Sequence, residues 1–351
     1  MDNREKEQYK EERLRNHGRS GEKQICSMTN KEIYSKTLTF SIRRFLVDIG
    51  SFLVLGILGG AGFLVAEKTT NRGLIGLGIG LILGLVALVF ILRYSSYSYK
   101  AGQIAMMSRA VSEGSLPDNV LEEGRNTVKQ RFGTVVLFFA ATSLIRGIFN
   151  QLSRGVEKLG KAVGGDTGST VADIISTGIS IMVGYLCDCC LGWVFYRRDQ
   201  NSARSTLEGA VLFFRHGKTL MKNMGRVFGM GIASLVAIGG VFFGVFYLIF
   251  SRMPAAFERL AAELAEAAVR MEETVPELFQ DPKLFMLVCA GVCAVILWSV
   301  LHSVFVRPYI LVGVLRNYME SGMNDIPTEA AFSMLDSKSA KFRKLHEEAM
   351  A

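Results

Sequence analysis

Four ionisable side chains stand inside apolar stretches of the sequence: Asp48, Arg146, Asp188 and His302. A charged side chain at the centre of a hydrocarbon layer costs about 3 kcal/mol or more, so such residues face a polar interior or pair with one another. In that setting carboxylate and imidazole groups bind cations or relay protons. These four are therefore the candidate residues of a substrate or ion pathway.

Asp188 is the strongest candidate, because it lies about 10 to 13 Å inside its apolar stretch at 1.5 Å per residue. We expect it to face a polar cavity and to bind a cationic group or a proton, with a structural buried hydrogen bond as an equal alternative. His302 meets Asp188 if their helices adjoin. Asp48 lies one turn from the end of its stretch, where Arg43 or Arg44 is within reach.

Arg146 lies toward the far end of its stretch, where it can snorkel to the surface or pair with Asp173. Cys187 and Cys190 flank Asp188 and have the side chains of a metal site, but no second Cys pair occurs at that depth. Buried Cys is usually a small apolar residue, so we predict no metal and no other cofactor. The sequence has no metalloprotease, phosphate-loop or serine-hydrolase motif, and an enzyme is not predicted.

The elements that must position these residues are six apolar stretches, each long enough to cross a hydrocarbon layer of about 30 Å. Alternating strand patterns are absent, and a helix satisfies its own backbone hydrogen bonds in lipid. The sequence predicts an all-α integral membrane protein with a six-helix transmembrane bundle. Its predicted spans are residues 45–66, 73–92, 133–152, 174–195, 227–250 and 284–306.

The basic residues are distributed unevenly between alternate loops. One set of loops and tails carries 30 Lys and Arg residues, and the other set carries 9. This asymmetry predicts a cell-membrane protein with both termini in the cytoplasm. The net charge of +8 is then explained by topology and by attraction to the lipid bilayer, and nucleic acid is not a predicted partner.

The segments outside the spans have distinct characters. Residues 1–36 form a basic tail without apolar periodicity, which predicts disorder. Residues 37–345 form the membrane domain, and residues 307–351 form a cytoplasmic helix and tail. The loop 252–283 is predicted to hold an amphipathic helix on the extracytoplasmic side between Pro254 and Pro276. That helix is expected to cap the bundle, with a partner helix, a lid or a cation-attracting mouth as alternatives.

A weak internal repeat follows each even-numbered span. Each copy has Arg and Glu four residues apart, with Gly shortly afterwards, and an i,i+4 ion pair supports a helix by a few tenths of a kcal/mol. The pattern favours three two-span units, each closed by a cytoplasmic amphipathic helix, over chance. The pairs are Arg109 and Glu113, Arg204 and Glu208, and Arg316 and Glu320.

Small residues recur at helical spacing in the second and fifth spans. Such stripes let helix backbones approach closely in lipid, so packing is the expected role. The stripes are Gly76, Gly80 and Gly84; Gly229, Ala233 and Ala237; and Gly240 and Gly244.

The stretch from Arg131 to Leu345 resembles the membrane core of choline-transporter-like proteins. The similar features occur in the same order along the chain: Arg131-Phe-Gly133-Thr134, Leu144-Ile145-Arg146, Cys187-Asp-Cys189-Cys190, Asn201 with Ala203, Gly209 with Phe213, Lys222-Asn223-x-x-Arg226 and Leu315–Glu320. The chain also resembles six-span bacterial membrane families of unknown function. The spacings and the span count depart from the first family, so its substrate contacts are not carried over.

These observations predict a transporter or channel-like protein for a small cationic or lipid-related solute. The alternative is a non-catalytic membrane scaffold or regulatory subunit that binds partner membrane proteins or further copies of itself. A membrane-embedded enzyme acting on lipid is a third and weaker interpretation.

Overall fold

The structure is a computed structural model that describes residues 28–70, 73–164, 169–222, 224–270, 276–337 and 339–350. These residues are almost entirely helical and include no strand. The helices are α1 (Asn30–Thr70), α2 (Gly73–Ser95), α3 (Ala101–Glu113), α4 (Val120–Phe132), α5 (Val135–Gly164), α6 (Ser169–Tyr196), α7 (Ser202–Lys222), α8 (Met224–Ser234), α9 (Gly240–Phe250), α10 (Pro254–Arg270), α11 (Glu277–Gln280), α12 (Pro282–Leu301), α13 (Arg307–Asn324), α14 (Glu329–Asp336) and α15 (Ala340–Met350). Five-residue π-helical turns continue three of them: Ser96–Lys100 after α2, Leu235–Gly239 after α8 and His302–Val306 after α12.

Four helical stretches in the described part of the chain are long and apolar enough to cross a membrane: Asn30–Thr70, Ile75–Glu113, Val227–Phe250 and Pro282–Asn324. The first two pack together as the first hairpin, and the last two as the second hairpin. Large aliphatic side chains on both hairpins are exposed, which is the expected surface for helices surrounded by lipid. The predicted spans one, two, five and six therefore coincide with membrane-length helices.

The buried side chains concentrate at one end of the two hairpins, where α3, α6 and α13 pack against each other. We call this region the packed core. Trp193, Tyr318 and Phe149 are among its largest fully buried side chains. The core extends to α1, since Ile33 and Phe40 are completely buried in it.

The start of α1 corrects the predicted tail, because helix begins at Asn30 inside the segment 1–36 that was expected to be disordered. Thr29 and Glu32 form a reciprocal capping box: the Thr29 amide donates to Glu32 Oε2 at 2.6 Å, and the Glu32 amide donates to Thr29 Oγ1 at 3.2 Å. Residues 1–27 lie outside the described part of the chain.

The described side chains of α6 differ from the environment predicted for the fourth span. The apolar segment Val183–Tyr196 is buried on nearly all sides by protein. Its neighbours are α3, α5, α7 and α13. An apolar surface all round a helix indicates burial, but lipid and a protein core give the same sequence signal.

Residues 133–152 cannot cross the membrane as the third span if the C-terminal helices are cytoplasmic. Gln151, at the expected outer end of that span, accepts hydrogen bonds from the Ser339 hydroxyl at 2.6 Å and the Lys341 amide at 3.2 Å. Ile148 packs with Phe332 and Phe342 of the C-terminal helices. The far end of residues 133–152 therefore lies on the same side as the C-terminal helices, which corrects the prediction of six spans crossing in alternation.

A sharp bend separates α4 from α5, and we call it the elbow. The two helices meet at 78°, so the pair forms a fifth span only as a broken one. Gly133 has φ of +65°, a conformation that glycine adopts without steric cost. Phe132 and Phe138 contact each other edge to face across the bend, with ring centroids 5.4 Å apart.

The repeat pairs do not share one role. Arg109 pairs with Glu113 at 2.7 Å, as the i,i+4 spacing predicts. Glu208 is buried and accepts from Trp193 and Arg197 instead of Arg204, and Arg204 pairs with Glu329 at 2.8 Å. In the third copy, which holds Glu320, the Arg316 guanidinium donates to the Met28 carbonyl. Three equivalent helix-closing units are therefore not present in this form.

The loop 252–283 contains the amphipathic helix α10, which begins at Pro254. Ala261 on this helix is fully buried, and Phe257 contacts Phe285 of α12 with ring centroids 6.2 Å apart. The helix thus packs against the second hairpin. The last five residues before Pro276, where the predicted helix ends, lie outside the described part of the chain.

Candidate functional site

Asp188 is the centre of a buried ionic group in the packed core. Its Oδ1 lies 2.7 Å from Lys100 Nζ, and its Oδ2 lies 2.7 Å from Arg307 Nη2. The Asp188 side chain is 7% exposed, and those of Lys100 and Arg307 are 28% and 29% exposed. Asp188 is buried, and its cationic partners are side chains of the protein itself, which corresponds to the structural alternative and not to a solute in a polar cavity.

Arg44 and Asp48 extend this group on α1. Arg44 Nε lies 3.7 Å from Asp48 Oδ2, the pairing that the sequence suggested. Arg44 also donates to the Ser303 hydroxyl at 2.9 Å. Ser303 stands one helical turn before Arg307, so the two ionic groups meet at the π-helical turn after α12. We call Arg44, Asp48, Lys100, Asp188 and Arg307 the ion cluster.

The ion cluster holds three cations and two carboxylates, so it carries one net positive charge. Two buried donors beside it have no partner among the described residues: Nε of Arg307 and the hydroxyl of Tyr185. The guanidinium carbon of Arg307 lies 5.1 Å from the centroid of the Tyr185 ring, a cation–π contact. Buried polar groups are normally satisfied. Asp48 Oδ1, an acceptor of the same cluster, is likewise without a partner among the described residues.

Two residues of the ion cluster lie at the ends of π-helical turns. Lys100 is the last residue of the turn Ser96–Lys100, and Arg307 directly follows the turn His302–Val306. A π-turn inserts one extra residue per turn and re-aims the side chains that follow, and such turns are frequent at functional sites. The backbone is therefore irregular at the points where the two cations reach Asp188.

His302 does not contact Asp188. Its Nδ1 lies 3.0 Å from the Ser234 hydroxyl, and Trp298 Nε1 donates to the same hydroxyl at 3.2 Å. The three residues link α8 to α12 inside the second hairpin. His302 is thus placed as an interhelical hydrogen-bonding residue.

The Arg146 side chain is exposed on α5. The side chain of Asp173, its suggested partner, lies outside the described part of the structure. Cys189 and Cys190 are fully buried beside Asp188. Among the described residues no group of three or more His, Cys, Asp or Glu is placed to hold a metal ion.

Sequence reasoning missed Lys100 and Arg307, because both lie just beyond apolar stretches and look like ordinary loop charges. It also missed the anchoring role of Arg131. This side chain donates to the carbonyls of Gln200 at 2.7 Å and Arg197 at 2.9 Å, and to the Ser205 hydroxyl at 2.9 Å. These bonds fix the connection between α6 and α7 against the elbow.

Comparison with protein-family models, curated proteins and solved structures finds no match to this chain.

Proposed function

We propose that this chain is a transporter-like membrane protein for a lipid-related solute with an anionic group, and that the ion cluster binds that group. The observation that carries the proposal is the net positive charge of the cluster together with the unpartnered donors of Arg307 and Tyr185. A cationic solute meets repulsion there, because both oxygens of Asp188 are already engaged. The sequence predicts a small cationic or a lipid-related solute, and the charge balance favours the lipid-related one.

The depth of the cluster supports the same solute class. Arg44 directly precedes the apolar run of α1, and Arg307 directly follows that of α12. Lys100 stands eight residues beyond Leu92, or about 12 Å along a helix. Cations at the ends of spans lie at headgroup level, and basic pockets between spans bind phosphate headgroups.

The membrane topology proposed here has four spans, with the packed core and both termini on the cytoplasmic side. The segments 67–72 and 251–283 then face outward and contain 2 and 4 of the 40 Lys and Arg residues. This distribution obeys the positive-inside pattern. It also places the C-terminal part of α5 on the cytoplasmic side, together with the C-terminal helices that contact it.

The test is lipid transfer in proteoliposomes, with fluorescent phosphatidylglycerol as the anionic probe and fluorescent phosphatidylcholine as its zwitterionic counterpart. Arg307→Gln is expected to lower phosphatidylglycerol transfer at least roughly tenfold, since a hydrogen bond to a charged group contributes about 1.5 to 3 kcal/mol. Arg252→Gln, an exposed arginine of the outer loop, is the matched control and should leave transfer unchanged.

A charge-conserving pair separates an anionic from a cationic solute. Lys100→Met with Asp188→Asn removes one cation and one carboxylate and keeps Arg307, so phosphatidylglycerol transfer should persist. Uptake of radiolabelled ethanolamine is measured on the same vesicles. The proposal would be overturned if the wild type takes up ethanolamine, the double variant does not, and neither protein transfers phosphatidylglycerol. The ion cluster would then be a cation site. Circular dichroism and size-exclusion chromatography check that each variant is folded.

A membrane scaffold is the second candidate, and one feature of the second hairpin favours it. A Cβ added to Gly240 or Gly244 meets no other atom within 4 Å, and the neighbouring Val241 and Leu248 are each 63% exposed. A smooth face of small residues in lipid suits the close approach of another helix. If neither lipid nor ethanolamine moves in the proteoliposome assays, the scaffold becomes the better account.

A further inference from the structure

A cavity lies at the elbow, apart from the ion cluster. Its volume is about 840 Å³, and it is lined by the end of α2, by one face of α4 and by the first residues of α5. The residues of the lining that matter here are Tyr94, Tyr97, Arg125, Lys129 and Thr134. The size of this cavity and its mixture of aromatic and basic groups distinguish it from the closely packed core.

The walls of this cavity are preformed. Phe138 contacts both Phe132 and Tyr97, in each case with ring centroids 5.4 Å apart and an edge-to-face geometry. Phe132 also packs against Phe195 of α6 at 5.7 Å. These contacts hold the 78° bend, so α4 stays across the end of α2 and the cavity between them stays open.

The charge of the cavity is positive. Arg125 and Lys129 lie one turn apart on the exposed face of α4, and the guanidinium carbon of Arg125 lies 5.9 Å from the Tyr99 ring centroid. The single acid of the lining, Glu122, is held by Asn119, whose amide donates to its Oε2 at 2.6 Å. Two cations against one carboxylate leave the lining with one net positive charge.

The rim of the cavity is apolar and exposed. Tyr94 is 51% exposed, and Val136 and Leu137, at the start of α5, are 76% and 58% exposed. Tyr94 stands where the apolar run of α2 ends, the depth at which tyrosine prefers the boundary between lipid and water. An occupant of this cavity thus has an anionic head beside α4 and an apolar part beside α5.

We propose that the elbow cavity binds the phosphate headgroup of an anionic phospholipid, with its acyl chains against Val136 and Leu137. Arg125 and Lys129 hold the phosphate by charge-assisted hydrogen bonds. Tyr94 and Tyr97 pack against the glycerol region. The site is separate from the ion cluster, and it does not depend on transport by that cluster.

The experiment measures lipid binding to the purified full chain in detergent by native mass spectrometry. The probes are phosphatidylglycerol, phosphatidylcholine and inorganic phosphate, each titrated separately. The double variant Arg125→Gln with Lys129→Gln is compared with Arg252→Gln plus Arg259→Gln, which removes two exposed cations from the outer loop and α10. Affinity for phosphatidylglycerol at the elbow is measured in the Arg307→Gln background, which excludes binding at the ion cluster. It is expected to fall roughly 30-fold in the elbow variant, since each cation near anionic lipid contributes about a fivefold factor.

The outer control should keep the affinity of the wild type, and phosphatidylcholine should bind weakly to every variant. Equal affinity of the elbow variant and the control for phosphatidylglycerol would overturn the proposal. Binding of inorganic phosphate as tight as that of phosphatidylglycerol would also overturn it, because a soluble anion would then be the ligand. Arg307→Gln serves to separate the two sites: it should leave the elbow affinity intact even if transport through the ion cluster fails.

Discussion

The two hairpins carry similar stripes of small residues and use them in opposite ways. In the first hairpin, a Cβ at Gly80 would fall on the Leu58 carbonyl oxygen, and one at Gly76 on the Gly62 carbonyl oxygen. In the second hairpin, Gly240 and Gly244 face open space. A stripe of small residues therefore permits close approach, but the residues opposite decide whether the approach occurs.

The second hairpin is held by larger side chains. Its helices α8 and α12 are linked by Ser234, His302 and Trp298. Phe250 adds a ring contact with Phe257 of α10, with centroids 4.9 Å apart. The first hairpin thus depends on backbone proximity, and the second on a few interhelical side-chain contacts. The two modes differ in the substitutions that each can tolerate.

The largest expected effect is that of Gly80→Leu in the first hairpin. The new side chain collides with backbone that cannot move without separating α1 from α2, so we expect a loss of about 3 kcal/mol in the free energy of unfolding. Thermal unfolding in detergent micelles, followed by circular dichroism, measures it. Gly78→Leu is the matched control two residues away, because a Cβ at Gly78 meets nothing within 4 Å. Equal effects of the two substitutions would refute the close packing of this hairpin.

The sequence predicted the helices of both hairpins correctly, because an apolar run of span length is typical of a membrane-crossing helix and rare elsewhere. It could not separate α6 from a span, since Val183–Tyr196 is surrounded by apolar neighbours that are protein and not lipid. Long-range contacts such as that between Gln151 and Ser339 are set by tertiary packing, and no local pattern marks them.

The candidate site was predicted in part for a similar reason. The burial of Asp188 follows from its position in an apolar run, and the Arg44–Asp48 pair follows from i,i+4 spacing. Lys100 and Arg307 reach Asp188 across 88 and 119 residues of chain. Their position just past the ends of two apolar runs was the available signal, because the ends of spans that share one side lie at one depth.

The next effect in size is that of Arg44→Gln, which weakens the link between the two hairpins. Arg44 pairs with Asp48 on its own helix and donates to Ser303 on the opposite hairpin. We expect a loss of about 2 kcal/mol in the free energy of unfolding, the range for hydrogen bonds made by charged groups. Arg43→Gln is the control, because the Arg43 side chain is exposed. An equal loss of unfolding free energy for Arg43→Gln would show that the loss of any positive charge at this end of α1 is responsible, and not the loss of the hydrogen bond to Ser303.

A smaller effect is expected for His302→Phe in the second hairpin. The substitution keeps an aromatic ring beside Trp298 and removes the hydrogen bond to Ser234. Interhelical hydrogen bonds in membranes contribute about 0.6 to 1.7 kcal/mol, so we expect about 1 kcal/mol less stability. A double-mutant cycle with Ser234→Ala isolates this coupling. Additive losses in that cycle would show that the two residues act independently.

The smallest effect on stability is expected for Gly244→Leu, the counterpart of Gly80→Leu on the open face. With no neighbour within 4 Å, the added side chain should change the free energy of unfolding by no more than about 0.5 kcal/mol.

Gly244→Leu should weaken association with another helix, because a leucine on a smooth face keeps an approaching helix at a distance. Cross-linking in liposomes measures this directly. Cross-linked dimers that disappear in Gly244→Leu, and persist in Gly78→Leu, would assign the second hairpin to contact with another copy of the chain. A stability loss as large as that of Gly80→Leu would instead show that the second hairpin closes as tightly as the first, and the contrast between them would disappear.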